Sequence, residues 1–429
     1  MNRDSEIYQT YVAILKRELI CAMGCTEPIA VAYAAAEARE LLGTLPEKIK
    51  VQASGNIIKN VKSVVVPNTG GRRGIEAAAA IGVLAGDASK QLQVIAGVTE
   101  QQAAELQPYL EQTEITVEPL NSDAVLDMIV TVSQGTSCAS VRITDEHTNI
   151  VRKEKDGKVL YQANPSASRH AEEETPDYNL LTVKRIYEFA ETCDLADVRD
   201  TLEQQIERNT AISEEGLRHS YGANIGKVLL SCGTDLRTRA RAAAAAGSDA
   251  RMNGCDMPVV ICSGSGNQGM TASLPVIEYA KDLRSDHDTL LRALVISNLV
   301  TLHCKAGIGR LSAYCGAVSA GAGAGAGIAY LHGEKEKVIA HTIVNALAIT
   351  SGIVCDGAKS SCAAKISAAV DTGIFGYEMY RAGQQFYQGE GLVERGVEDS
   401  IRNFSRLGRV GMRETDQEII RMMTGQHSS

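Results

Sequence analysis

From Leu311 to Leu331 the chain carries no charged residue, and its middle alternates glycine and alanine from Gly321 to Gly327. A helix of that length is long enough to span a bilayer. The Gly-Ala core is only weakly hydrophobic, however, and no second comparable segment occurs. The sequence therefore predicts a helix buried at the centre of the protein, where glycines let neighbouring helices approach closely. With no Trp and only 4 Phe in 429 residues, the surrounding core must also be built from close-packed small and aliphatic side chains.

Apolar residues at Tyr8, Val12, Leu15, Leu19 and Ile20 predict a helix over 5–23, and an Ala-rich helix follows over 29–42. From 46 to 177 the pattern changes to short β-rich runs near 49–53, 62–66, 92–98, 114–118, 127–132, 140–144, 148–153 and 158–162. Helices over 74–85 and 100–112 interrupt them. Beyond a polar linker over 163–177, which contains Arg169, His170 and Glu172 to Glu174, nearly everything to Met423 is helical in period, with a break at Asp249-Ala250-Arg251 and Asn253-Gly254. The expectation is an α+β fold in which a small α/β domain, residues 46–177, packs on a larger all-helical domain rich in Ala and Gly, residues 178–429. The N-terminal helices of 1–45 are expected to pack with the helical domain.

A net charge of -9 and the lack of a basic stripe argue against a nucleic-acid surface. Eleven cysteines with no secretory leader pattern point to a reducing, cytoplasmic setting, where thiols are metal ligands, catalysts or buried filler rather than a disulfide frame. The expected partners are a small amino-acid substrate and a second copy of the chain in a homodimer, with no membrane.

Six stretches carry chemistry. In Gly24-Cys25-Thr26-Glu27-Pro28, Cys25 falls just before a helix, where the positive end of the dipole favours a thiolate. Ser263-Gly264-Ser265-Gly266-Asn267-Gln268-Gly269 is a glycine-rich loop opening a helix. It lacks a Rossmann strand before it and a P-loop Lys-Ser/Thr after it, yet still suits a carboxylate. The turns Ser54-Gly55-Asn56 and Lys59-Asn60 can present amides to the same kind of group. Lastly, Cys315, beside a glycine, and the pair in Cys355-Asp-Gly-Ala-Lys-Ser-Ser-Cys362 could be three thiolates converging on one metal centre. Structural zinc would want a fourth ligand. Three thiols suit a [4Fe-4S] cluster with one iron left open to substrate. Spacing alone does not choose these three from eleven.

Those motifs, with Arg310-Leu-Ser-Ala-Tyr-Cys315 and His147-Thr148-Asn149-Ile150, occur in one order over essentially the whole chain. Together they resemble the L-cysteine desulfidase family, related more distantly to the α chain of the iron-sulfur L-serine dehydratases. The resemblance implies an oxygen-sensitive [4Fe-4S] lyase converting L-cysteine to pyruvate, ammonia and sulfide. It makes Cys315, Cys355 and Cys362 the cluster ligands and Cys25 the additional functional thiol, either the base or a displaceable fourth ligand. Ser54, Asn56, Lys59, Asn60, Ser265, Asn267 and Gln268 are the candidates for holding substrate, with the carboxylate expected on the open iron. Alternatives are an L-serine deaminase of the same mechanism, a pyridoxal-phosphate lyase using Lys59 and the Ser263–Gly269 loop, and a thiol metal-binding or redox-sensing protein without turnover.

Overall fold

A computed structural model defines the fold and describes residues 1–122, 124–163, 176–309 and 311–424. Most of the expected linker, including Arg169, His170 and Glu172 to Glu174, lies outside the described residues, as does Arg310.

The protein is α+β. A mixed sheet has the order β3-β2-β4-β5-β6-β7, formed by β2 (Lys48–Ala53), β3 (Glu114–Pro119), β4 (Asp127–Gln134), β5 (Ser137–Thr144), β6 (Ile150–Lys155) and β7 (Lys158–Gln162). Only β2 and β3 run parallel, as the helical crossover between them requires. The remaining pairs are antiparallel. Alternation decides which face is covered: Ile49, Val51, Met128, Val130, Val132, Val141 and Ile143 are all buried. Helix Thr26–Leu42 lies on β4 and β5, and Gly74–Ala85 packs on that helix so closely that a Cβ at Gly82 would stand 2.3 Å from the Ala32 carbonyl oxygen.

Helix Gly316–Leu331 occupies the middle of the helical body, flanked by Gly266–Leu283, His287–Ala306, Glu336–Thr350 and Cys362–Arg381. Its residues from Ala317 to Ala329 are all buried. Backbone contact replaces side-chain interdigitation along one side: Cβ atoms at Gly321 and Gly325 would stand 2.3 and 2.4 Å from the carbonyl oxygens of Ala369 and Gly373. Among the described residues no helix is long and apolar enough to cross a membrane.

The two parts are stitched by a short antiparallel ribbon, β1 (Cys21–Met23) against β8 (Pro258–Val260). The periodicity of 5–23 hid this. The first helix stops at Glu18, and three residues of apparent helical pattern are strand. Further corrections follow from local chemistry. Residues 62–66 and 92–98 are not strands; the first makes only an isolated Val65–Arg73 bridge and the second ends a 3-10 turn. The turns at 54–60 are largely the helix Gly55–Val61. Helix Thr26–Leu42 packs chiefly with the sheet layer, whereas Glu6–Glu18 reaches His287–Ala306 in the helical body. The break expected at 249–251 is absent, because helix Leu236–Met252 runs through it.

Candidate active site

The ribbon β1–β8 delivers two loops to one place. The chain leaves β1 at Gly24-Cys25 and leaves β8 towards Ser263, and the Thr26 hydroxyl donates to the Gly264 carbonyl at 2.9 Å. Two further loops meet opposite them. Tyr314 and Val354 form a β-bridge, the Cys315 N–H donates to Ile353 O at 3.1 Å, and the Cys355 N–H donates to Ala313 O at 2.6 Å. These bonds fix Cys315 and Cys355 side by side although forty residues separate them in sequence. The loop between Cys355 and Cys362 is tied across itself. The Asp356 carboxylate pairs with Lys359 and Lys365, and although burial works against it, these cations hold its pKa at about 2. Gly357 adopts φ +91°, and a Cβ there would stand 2.4 Å from the Lys59 carbonyl oxygen, so the loop is seated directly on helix Gly55–Val61.

Four helices begin at the enclosed space. Cys25 is the N-cap of Thr26–Leu42, Ser265 that of Gly266–Leu283 and Cys315 that of Gly316–Leu331, while Cys362 is the first residue of Cys362–Arg381. None of these starts has a side-chain cap bond. Their uncapped first-turn N–H groups and aligned dipoles favour negative charge in a cavity of about 110 Å³. Cys25, Cys315, Cys355 and Cys362 all line it, and so do Asn60, Ser265, Asn267 and Gln268.

Ser54, Asn56 and Lys59 do not line it. They lie on or beside helix Gly55–Val61, and only Asn60 turns inwards from it. The Ser54 hydroxyl donates to Val125 O at 2.8 Å. Asn56 and Lys59 both hold Asp416 of the helix Arg413–Thr424, at 2.8 and 2.5 Å. The pyridoxal reading needs the Lys59 amine beside the glycine-rich loop, and the pair with Asp416 places it elsewhere. Cys304, near the end of helix His287–Ala306, does not line the cavity either.

The expectation of a thiolate at Cys25 fails on electrostatics. Its position at the helix start is as read, but burial pushes the thiol well above its ordinary pKa and the Glu27 carboxylate adds to that. Cys25 is therefore a thiol, donating to Glu27 Oε2 at 3.1 Å. Glu27 is itself buried, which would raise its pKa; the nearby His147 imidazole and the Cys25 hydrogen bond outweigh this and hold it at about 2. At 4.0 Å, the approach of His147 Nε2 to Glu27 Oε1 is too long for a hydrogen bond. Asn60 Nδ2 donates to Glu27 Oε1 at 3.0 Å. Sequence reasoning gave Glu27 and His147 no role, although both stood inside quoted motifs. Arg251 was missed outright, because it was read as part of a break. It is 2% exposed, lines the cavity, and leans on the start of Gly266–Leu283 so closely that a Cβ at Gly266 would stand 2.4 Å from its Nε.

The three loop thiols fit an iron-sulfur centre by donor type. Burial and mutual charge raise the pKa of Cys315 and Cys362, in both cases with Cys355 contributing. Three thiols that repel one another as thiolates are deprotonated together only when a cationic centre compensates them. Among the described residues no three Cys, His, Asp or Glu side chains are grouped to hold a single ion.

A family model described as the serine dehydratase alpha chain matches residues 89–421, a range that includes the three loop cysteines, the glycine-rich loop and Arg251. The chain belongs to that family. More particularly, it is 56% identical over 430 residues to a UPF0597 protein of Desulfitobacterium hafniense, covering all of both chains. UPF0597 proteins of Lachnoclostridium phytofermentans and Finegoldia magna are 50% and 48% identical, covering 97% of this chain and 100% and 99% of their own.

Proposed function

We propose that the protein is an iron-sulfur lyase of cysteine catabolism that eliminates sulfide from L-cysteine. The observation that carries this reading is the convergence of Cys25, Cys315, Cys355 and Cys362 on one small cavity. Cys315, Cys355 and Cys362 would hold a [4Fe-4S] cluster, which when bound supplies a Lewis-acidic iron for the departing sulfur. Cys25 is the candidate base. Cys25 would act from its thiolate form, its proton lost to solvent rather than to the strongly acidic Glu27 beside it, and would remove the Cα proton. The Cα–H and Cβ–S bonds break, Cα=Cβ forms, and sulfide leaves. The aminoacrylate tautomerises to an imine, which water hydrolyses to pyruvate and ammonia. Eleven free cysteines and an oxygen-sensitive cluster suit the cytoplasm.

L-Serine is the second reading, favoured by the family's description; it would lose water by the same route. A storage or sensing protein would have no use for the Gly/Asn loop and buried arginine that share the cavity with the thiols.

Anaerobic reconstitution followed by sulfide and pyruvate assays with L-cysteine and L-serine tests the reading. Protein that holds four irons yet releases neither product from any amino acid sinks it. Cys315→Ala, Cys355→Ala and Cys362→Ala should each lose iron. Cys25→Ala should keep iron and lose most activity; loss of iron there would make Cys25 a ligand instead.

A further inference from the structure

Arg251 is the largest fully buried side chain among the described residues, and its guanidinium is mostly unpaired. Nη1 donates to Asn267 Oδ1 at 3.2 Å. Nε and Nη2 are buried with no hydrogen-bond partner. A buried unpaired donor costs about 1–3 kcal/mol, and more when charged, and an uncompensated buried cation is worse. Such a group persists where a ligand completes it. Arginine offers two parallel N–H bonds in a fork that matches a carboxylate.

The neighbouring backbone is arranged for the same ligand. The first bond of helix Gly266–Leu283 runs from the Gly269 N–H to Ser265 O at 3.0 Å. The N–H groups of Gly266, Asn267 and Gln268 precede it, without intrahelical partners. Arg251 rests against this turn, so the side-chain fork and the helix start form one anion cradle. Glycine at 266 is what allows that approach.

The same cavity also contains acceptors in want of donors. Gln268 Oε1 and Asn60 Oδ1 are buried without hydrogen-bond partners, and both residues line the space. Glu27, held by Asn60 Nδ2, adds negative charge beside them. Unpaired N–H donors and unpaired oxygens in one small cavity complement a zwitterion, with its carboxylate at one end and its ammonium at the other.

We infer that Arg251 and the first turn of helix Gly266–Leu283 bind the α-carboxylate of an amino acid, while the amide oxygens of Asn60 and Gln268 take its α-ammonium. This rests on the lyase reading for the identity of the substrate class and refines it in one respect. The carboxylate is held by protein, not by iron, so the coordination position at the thiol loops is left to the substrate side chain. Recognition of the main chain is then separate from the choice between a thiol and a hydroxyl leaving group.

The test is binding, not turnover. Anaerobic calorimetry on the reconstituted enzyme would compare L-alanine, which has both main-chain charges and no leaving group, with ethylamine and propionate, which lack one charge each. L-Alanine should bind, and each truncated probe should bind at least roughly tenfold more weakly. Arg251→Gln should weaken L-alanine by roughly a hundredfold and Arg251→Lys, which keeps the charge but not the fork, by about tenfold. No L-alanine binding, equal binding of ethylamine, or an unchanged Kd in folded Arg251→Gln overturns the inference. If neither variant folds, the ligand comparison in the unmutated enzyme decides it. Arg251-dependent L-alanine binding without any sulfide or pyruvate release would sink the lyase reading and leave this site standing.

Discussion

Glu27 is a carboxylate kept ionised where burial alone would protonate it, and its partners show why it matters. It accepts from Cys25 and Asn60 and lies beside Thr26 and His147. Glu27→Gln keeps the shape and removes the charge to which the Cys25 thiol donates. Iron content and KM should hold within a few-fold while the pH profile of kcat for L-cysteine moves to lower pH, because a charge that raises the Cys25 pKa is gone. A purely structural Glu27 would instead shift iron content, KM and kcat together. At this scale the sequence was partly legible. Cysteines and small polar residues beside glycines stand out because their chemistry is local, and Cys25, Asn60, Ser265, Asn267 and Gln268 do reach the cavity. Ser54, Asn56 and Lys59 were misjudged because a run of turn-forming residues folds as a helix, and a helix turns most of its side chains elsewhere. Arg251 was invisible, since nothing in a charged residue near Asn-Gly says that it is buried.

Elements set the spacing of the thiols. Cys315 and Cys362 stand at the starts of two neighbouring helices, Gly316–Leu331 and Cys362–Arg381, which touch through Gly321, Gly325, Ala369 and Gly373. The distance between the helix starts is thus governed by backbone contact further down. Gly325→Ala would drive a methyl into the Gly373 carbonyl and should cost about 1–3 kcal/mol of stability by overpacking. Iron per chain should drop as well, because the helix starts are pried apart. Thermal unfolding and metal analysis check both, and a stable variant with full iron content would refute this account of the spacing. The glycine pattern announced a close-packed central helix from sequence. It did not announce which helix would lie against it, because partner choice depends on the whole bundle. The ribbon β1–β8 was hidden for a similar reason: three residues are too few to show a period.

Over the whole molecule, the cavity depends on residues from nearly the full length of the chain. Lys59 is 1% exposed and bonded to Asp416 at 2.5 Å, which fastens helix Arg413–Thr424 to helix Gly55–Val61 beneath the Cys355–Cys362 loop. Lys59→Met leaves Asp416 without its cation, and breaking such a pair costs about 3–5 kcal/mol when both charges are buried; Asp416 is 14% exposed, so the lower figure applies. Amide exchange should rise over 413–424 and over 354–362, while the sheet stays protected. Protection unchanged in the loop would show that the fastening does not reach the thiols. The α+β class could be read from the sequence, because the period changes between the short β-rich runs and the helical segments. The allegiance of helix Thr26–Leu42 to the sheet could not, since from Thr26 to Ala36 it is buried all round and has no polar face to reveal its neighbour.

The support of Gly357 by the Lys59 carbonyl, with the Lys59 side chain clasped by Asp416, also bears on the order of events during synthesis. The pocket's parts leave the ribosome in the sequence Cys25, Arg251, Cys315, Cys362, and the brace behind them emerges only with residue 416. Until then the thiols sit on an unbraced loop. A pocket drawn from both ends of the chain in this way has all its parts only once residue 416 has been made.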